Sequence, residues 1–135
     1  MTYSSSLIIY TDGGARGNPG PSAWAFWVPS LAVSSSEYIG IATNNEAEYK
    51  ALIAALRYAI SIKATAVEIR SDSLLVVNQM KGRWAVKSDS IRELHTLANE
   101  LAEHLTSFQI HHVRREDNKE ADRFYNECMD AAQAA

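Results

Sequence analysis

Four acidic residues in this 135-residue chain lie where a carboxylate could bind a metal ion. They are Asp12, Glu48, Asp72 and Asp122. Mg²⁺ prefers oxygen ligands and takes one or two carboxylates together with substrate phosphate oxygens. Two such ions about 3.5 to 4 Å apart can clamp a phosphoryl displacement. If the fold gathers the four side chains, they supply the negative charge to hold such a pair.

Asp12 follows an apolar run and precedes a turn rich in glycine and proline. Residues 7–11 read LIIYT and residues 13–21 read GGARGNPGP, a pattern that predicts a buried strand delivering a carboxylate to a turn. An ordinary turn, in which Asp bonds its own backbone and Gly supplies a positive φ, fits the same residues. Asp12 alone therefore does not distinguish a metal ligand from a turn residue, and the other three acids are needed to decide.

Glu48 lies in a helix predicted to run from residue 43 to about residue 62, because Thr43 and Glu46 have capping-box spacing. The helical register places Glu46 on the solvent face and Glu48 on the apolar face with Leu52. Burying an unpaired carboxylate is costly, so Glu48 needs a partner. A metal ion at the end of the sheet would be one.

Asp72 follows a second alternating strand. Residues 65–70 read TAVEIR, and the strand ends at residues 71–73, SDS. A right-handed crossover would place this strand end beside that of the first strand, in the crevice where α/β sheets bind ligands. Capping of the next helix by Ser71 or Asp72 explains the same residues without a ligand.

Asp122 lies in the first turn of a helix predicted over residues 119–132, with Asn118 as its N-cap. An acid there also interacts favourably with the helix dipole, which is an alternative role. The position of Asp122 in the chain is thus consistent with a ligand but does not require one.

The remaining segments predict the elements that position these acids. Segments 23–28 and 31–40 complete an antiparallel meander of three strands, with the serines at 34–36 at or near the turn. An amphipathic helix over 88–105 and a strand over 108–113 follow later in the chain.

The composition indicates which general kind of protein this chain is. With 47% hydrophobic and 21% charged residues, the chain is expected to form a single globular domain over residues 1–135. A net charge of −3 gives no global sign of nucleic-acid binding, so local features must hold any polyanion. The single Cys128, with no leader and no membrane-length apolar run, predicts a cytoplasmic protein without a membrane partner. A monomer is the default expectation.

The four acids lie in segments that together resemble the signatures of type 1 ribonuclease H. These segments are 12–21 (DGGARGNPGP), 43–52 (TNNEAEYKAL), 71–73 (SDS) and 118–122 (NKEAD), in that order along nearly the whole chain. The resemblance implies an α/β fold with a five-stranded mixed sheet of order 3-2-1-4-5. Strands 1 to 3 would form an antiparallel meander, strands 4 and 5 would run parallel to strand 1, and helices would flank the sheet.

The same resemblance implies an endonuclease that hydrolyses the RNA strand of RNA/DNA hybrids and leaves 3′-hydroxyl and 5′-phosphate ends. The catalytic and metal-binding residues would be Asp12, Glu48, Asp72 and Asp122. They would hold two Mg²⁺ ions, with Mn²⁺ as the alternative, and Asp12 would bridge both. The selection of Glu48 from the helical register agrees with this assignment.

Substrate contacts also follow from the resemblance. Asn18, Asn44 and Asn45 match positions that contact the hybrid near the scissile site, partly through RNA 2′-hydroxyls. Thr43 matches a position that grips a DNA-strand phosphate. Arg115 occupies a loop where some members carry a mobile histidine, and it is expected to assist product release or phosphate binding.

Two further departures from the family pattern affect the expectations. The segment 81–88 is too short for the basic protrusion of some bacterial members, so hybrid binding should depend on Lys81, Arg83, Trp84 and Lys87 and fall steeply with salt. Phe and Tyr at 124–125 stand where the family usually has Leu-Ala, and Tyr125 is expected to affect how the Asp122 carboxylate is presented.

Three alternatives remain open on the sequence. Some relatives without the protrusion also cut double-stranded RNA, which makes that duplex a second possible substrate. A non-catalytic hybrid-binding or assembly module is another, although a pure binder has no need of four acids beside a polyanion. An unrelated acidic α/β protein with four coincidentally placed acids is the third.

Overall fold

A computed structural model describes the backbone of residues 3–134 and the side chains from Ser6 onward. The elements, in chain order, are β1 (Tyr3–Ala15), β2 (Gly20–Val28), β3 (Val33–Ala42), α1 (Asn44–Ser61), β4 (Ala64–Ser71), α2 (Leu74–Met80), α3 (Asp89–Ala102), β5 (Ser107–His112) and α4 (Lys119–Ala134). Short 3-10 turns precede β3 and α4.

The five strands form one sheet of order β3-β2-β1-β4-β5, as predicted. Strand β1 pairs antiparallel with β2 and parallel with β4, and β5 pairs parallel with β4. Thr11 of β1 lies opposite Ser71 of β4. The next residue along each strand is an acid, Asp12 or Asp72, so the topology brings both acids to the same region of the sheet.

Helices α1 and α4 pack on opposite faces of the sheet. The ring of Phe26 contacts Tyr58 of α1 at a centroid distance of 5.4 Å, whereas the neighbouring Trp27 contacts Phe124 of α4 at 5.6 Å. Successive side chains of a strand point to opposite faces. The core between α1 and the sheet buries Leu52 and other apolar residues almost completely, and each such side chain stabilises the fold by about 1.5 to 3 kcal/mol.

The start of α1 follows the sequence prediction closely. Thr43 is the N-cap, and its hydroxyl accepts the backbone N–H of Glu46 at 3.2 Å. The Glu46 carboxylate accepts the N–H of Thr43 at 3.0 Å, which completes the capping box. Glu46 therefore has a structural role, and Glu48 is left for another one.

Several predicted boundaries were wrong. The serines at 34–36 lie within β3, an edge strand where exposed polar side chains are acceptable, and the preceding turn is Pro29–Leu31. The N-cap of α2 is Ser73, not Ser71 or Asp72, because Ser71 still pairs in the sheet. Helix α3 ends at Ala102, so the buried Leu105 follows it rather than belonging to it.

No helix within residues 3–134 combines the length and the apolar character needed to cross a membrane.

Candidate active site

Three of the predicted acids form one group beside the end of β4. Asp12, Glu48 and Asp72 each offer a carboxylate oxygen, and these oxygens lie within 4.8 Å of one another. Asp122 lines the same cleft and interacts directly with Asp12. The fold therefore gathers the four carboxylates from β1, α1, the turn after β4, and α4.

Gly13 explains how α1 comes close enough to present Glu48. A Cβ atom at this position would lie 2.4 Å from the carbonyl oxygen of Ala47, well inside van der Waals contact. Only glycine lets the first turn of α1 approach β1 this closely. The strand itself continues to Ala15, so Asp12 lies within paired β structure rather than at the start of the turn.

The Glu48 carboxylate is buried without enough partners. Its Oε1 has no hydrogen-bond donor and almost no contact with solvent, and leaving such an atom unpaired is costly. Burial raises the pKa of Glu48 well above its ordinary value, and the charges of Asp12 and Asp72 raise it further. Arg115 and the Gly13 N–H act in the opposite direction. A divalent cation would satisfy this oxygen, so the residues fit a metal site.

The pKa of Asp12 is also raised strongly. Burial, followed by the neighbouring charges of Asp72 and Asp122, raises the pKa of Asp12 to about 8. The Gly13 N–H, which donates to Oδ1 at 2.9 Å, lowers it. Carboxylates this close to one another cannot all ionise cheaply. Without a metal ion these neighbouring carboxylates destabilise one another, and bound cations would relieve the repulsion.

Asn118 anchors the segment that carries Asp122. It precedes α4 directly, as predicted for an N-cap, but its Nδ2 donates to the carbonyl oxygen of Thr11 at 2.9 Å and its buried Oδ1 has no partner. The predicted capping bond is thus absent, because the side chain binds β1 instead. This bond holds the start of α4 beside Asp12 and so positions Asp122.

The predicted substrate contacts are distributed around the cleft. Asn44 lines it, and its Oδ1 accepts the N–H of Ala15 at 2.7 Å. Asn18 is exposed, and its Oδ1 accepts the N–H of Asn44 at 3.0 Å. Asn45 is exposed at the start of α1, beside the N-cap Thr43. Arg115 lines the cleft with the four acids.

Two features of the site were missed in the sequence. Asn126 lines the cleft, and its position four residues after Asp122, on the same helical face, was an available signal. The Arg16 guanidinium binds Asn126 and Asp130 of α4 at 3.2 and 2.8 Å. No local pattern reveals a contact between residues more than a hundred positions apart.

Comparison with known proteins identifies the family. A family model described as "Reverse transcriptase-like" matches residues 30–128. "Ribonuclease HI" of Halobacterium salinarum is 40% identical over 127 residues, covering 91% of this chain and 64% of that protein. The "Bifunctional protein Rv2228c" of Mycobacterium tuberculosis is 42% identical over 93% of this chain. The chain belongs to the type 1 ribonuclease H family.

Solved structures agree with this family membership. The N-terminal RNase H domain of Rv2228c has a TM-score of 0.90 and 42% identity, covering 98% of this chain and 100% of that one. LC11-RNase H1, solved in complex with an RNA/DNA hybrid, has a TM-score of 0.86 and 38% identity, covering 94% and 99%. The chain spans 36% of the length of the full mycobacterial protein.

Proposed function

We propose that this chain is an endoribonuclease that hydrolyses the RNA strand of RNA/DNA hybrids and leaves 3′-hydroxyl and 5′-phosphate ends. The observation that carries the proposal is the group of Asp12, Glu48 and Asp72, whose oxygens lie within 4.8 Å of one another. Further support comes from LC11-RNase H1, a neighbour at 38% identity that was solved with an RNA/DNA hybrid.

The four carboxylates would hold two Mg²⁺ ions, with Mn²⁺ as the alternative metal. Such ions, when bound, supply an activated water for attack and stabilise the leaving oxygen. The charges of Asp12, Asp72, Asp122 and Glu48 act on one another, so these four residues would hold the ions together, with Asp12 common to the interactions. Glu48 contributes an oxygen that has no partner in the protein.

Arg115 supplies a positive charge beside these acids. The adjacent Arg114 pairs with Glu116 and Asp117 at 3.5 and 3.2 Å, but Arg115 makes no ion pair within 4.0 Å among the described residues. An unpaired guanidinium at the edge of an acidic cleft suits a phosphate oxygen, which it binds through charge-assisted hydrogen bonds. We assign Arg115 to substrate-phosphate binding or product release.

Neutral groups on the other side of the cleft would contact the hybrid. With Oδ1 bonded to Ala15, Asn44 retains its Nδ2 as a donor, and Asn18 likewise retains its Nδ2. These donors, with Asn45 and Thr43, would approach the hybrid near the scissile bond. Neutral donors suit the 2′-hydroxyls that distinguish RNA from DNA.

The loop between α2 and α3 adds the remaining contacts. Lys81, Arg83, Trp84 and Lys87 are all exposed there, between Met80 and Asp89. Because this loop is short, double-stranded RNA is an alternative substrate, as in some relatives without a protrusion.

Three properties remain predictions. They are a single domain over residues 1–135, a monomeric state and a cytoplasmic location, the last of which follows from the lone Cys128.

A cleavage assay tests the proposal. End-labelled RNA/DNA, RNA/RNA and DNA/DNA duplexes are incubated with the wild type and with the Asp12→Asn variant, in Mg²⁺, Mn²⁺ or chelator. We expect metal-dependent cutting of the RNA strand of the hybrid and its loss in the variant. Asp89→Asn, which changes an exposed acid on α3, is the matched control and should cut normally.

The products separate the alternatives. Equal cutting of RNA/RNA would support the broader specificity. Hybrid binding without cutting in either metal would reject the enzyme and favour a binding module. An unchanged rate in Asp12→Asn would show that the carboxylate group is not the catalytic site.

A further inference from the structure

The side chain of Tyr125 closes one side of the candidate active site. It extends from α4 to β1, where a Cβ atom on Gly14 would lie 3.1 Å from the Tyr125 Oη and 3.2 Å from its Cζ. Because glycine lacks this atom, the end of the phenol lies against the strand two residues beyond Asp12. Its hydroxyl therefore shares the cleft with the four acids.

The hydroxyl of Tyr125 has no hydrogen-bond partner in the described part of the chain. By contrast, the hydroxyl of Tyr49 donates to Gln79 at 2.7 Å, and that of Tyr10 accepts from Arg70 at 2.7 Å. Unlike Glu48 Oε1 and Asn118 Oδ1, the Tyr125 hydroxyl is not a buried atom without a partner, so it remains open to the cleft. An unpaired hydroxyl that faces a cleft is available to a ligand.

The Tyr125 hydroxyl is a neutral hydrogen-bonding group. Burial raises the pKa of Tyr125, Arg16 lowers it, and the charges of Asp12, Asp122 and Glu48 raise it. The phenol is an uncharged donor at neutral pH, since its ordinary pKa is about 10. Like the Asn donors on the other side of the cleft, such a neutral group suits a neutral hydroxyl of the substrate.

Two contacts of neighbouring residues hold the part of α4 that carries Tyr125. The preceding ring, Phe124, packs against Trp27 of β2 at a centroid distance of 5.6 Å. On the other side, Arg16 bonds to Asn126 at 3.2 Å and so ties α4 to the turn after β1. A side chain held between rigid elements can place a donor accurately.

We propose that Tyr125 is a specificity-determining residue whose hydroxyl hydrogen-bonds a ribose 2′-hydroxyl of the RNA strand beside the cleaved bond. This inference rests on the proposed function and adds a contact that the Asn residues do not supply. Asn44 Oδ1 lies 3.6 Å from the same Cβ position on Gly14, so both residues border one stretch of β1. The 2′-hydroxyl is the group that marks the RNA strand.

Binding measurements in the Asp12→Asn background test the contact without turnover. Fluorescence anisotropy gives the Kd for an RNA/DNA hybrid and for a matched hybrid with 2′-fluoro sugars, which retains A-like geometry but lacks the hydroxyl. Adding Tyr125→Phe should raise the Kd for the ribose hybrid about two- to tenfold, the loss of one hydrogen bond, and leave the 2′-fluoro Kd unchanged. Adding Tyr58→Phe instead, far along α1, should change neither.

The possible outcomes test the ribose contact, the place of Tyr125 in the substrate site and the proposed function separately. An equal loss with both hybrids would overturn the ribose contact and indicate a phosphate, and no loss would remove Tyr125 from the substrate site. In the same set of assays, the wild type and the Tyr125→Phe single variant are compared for cleavage in Mg²⁺, where a rise in KM larger than the fall in kcat is expected. Failure of the wild type to cut would reject the proposed function, while the Kd ratio would still decide the contact.

Discussion

Gly13 lies against the backbone of Ala47 with no room for a side chain between them. A Cβ atom on Gly13 would lie 2.4 Å from the Ala47 carbonyl oxygen and 2.8 Å from the amide nitrogen of Glu48. The contact fixes the distance between the strand that carries Asp12 and the helix that carries Glu48. The geometry of the carboxylate group therefore depends on a residue without functional groups.

Gly13→Ala should separate α1 from β1 and disrupt the metal site. We expect a loss of more than about 2 kcal/mol in the free energy of unfolding and a loss of Mg²⁺-induced stabilisation. Denaturant unfolding with and without Mg²⁺ measures both. Gly14→Ala is the comparison, because its Cβ would meet side-chain atoms of Tyr125 and Asn44 at 3.1 Å or more and not backbone at 2.4 Å. A Gly13→Ala protein as stable as the wild type would show that the close approach is dispensable.

The metal-free protein should lose stability as the pH rises. The pKa of Asp12 is about 8 in the folded chain, against an ordinary 3.8. Between these values the folded state holds more protons than the unfolded state, so the free energy of unfolding falls with increasing pH. In EDTA, the Tm should fall by at least about 5 °C between pH 5 and pH 9.

Mg²⁺ should reverse this dependence, because it binds the deprotonated carboxylates. Its stabilising effect should grow with pH, and Asp12→Asn should flatten the decline seen in EDTA. Thermal unfolding followed by circular dichroism at several pH values is sufficient. A Tm in EDTA that rises toward pH 9 would contradict the burial of repelling acids.

The basic loop should control the salt dependence of hybrid binding. Arg83 is exposed beside Trp84, on the loop that replaces a longer protrusion. If Arg83 contacts a phosphate, Arg83→Ala should reduce the slope of log K against log salt concentration by up to about 0.9. Arg57→Ala, an exposed cation on α1, should leave the slope unchanged. Identical slopes in all three proteins would exclude Arg83 from the interface.

Gln79 connects the buried core to the loop between α2 and α3, so its replacement should affect both stability and hybrid binding. Its buried side chain accepts from the Tyr49 hydroxyl at 2.7 Å and donates to the Ala85 carbonyl oxygen at 3.1 Å. Gln79→Leu leaves the Tyr49 hydroxyl unpaired and should cost about 1 to 3 kcal/mol. Hybrid binding should weaken as the loop loses its anchor.

A double-mutant cycle with Tyr49→Phe tests the link. The double variant should lose less stability than the sum of the single variants, because both remove the same bond. Strictly additive losses would mean that the bond contributes nothing.

Residue patterns predicted the neighbours of β1 and the choice of Glu48, whereas the full sheet order was implied by the resemblance to type 1 ribonuclease H. Alternating apolar residues and the β-α-β crossover constrain the neighbours of β1, and helical periodicity separates Glu48 from Glu46. The N-cap of α2 was not predictable in this way, since Ser71, Asp72 and Ser73 can all cap a helix. Pairing of Ser71 with Thr11 decides between them, and that is a tertiary contact.

The anchoring of α4 was also beyond the sequence. Asn118 has the residue type and the position of an N-cap, but its Nδ2 donates to the carbonyl oxygen of Thr11 and its Oδ1 accepts no helix N–H. The pairing of Arg16 with Asp130 likewise depends on how α4 crosses the sheet. Such choices between a local and a distant partner are settled only when the chain is folded.

The serines of β3 have a consequence for the behaviour of the protein in concentrated solution. β3 is an outer strand, and Ser34, Ser35 and Ser36 are exposed along it. An outer strand can recruit a strand of another molecule through its unpaired backbone groups, and apolar side chains promote the growth of such ladders. Three consecutive hydroxyl-bearing residues make this part of the edge a poor seed for amyloid-like assembly.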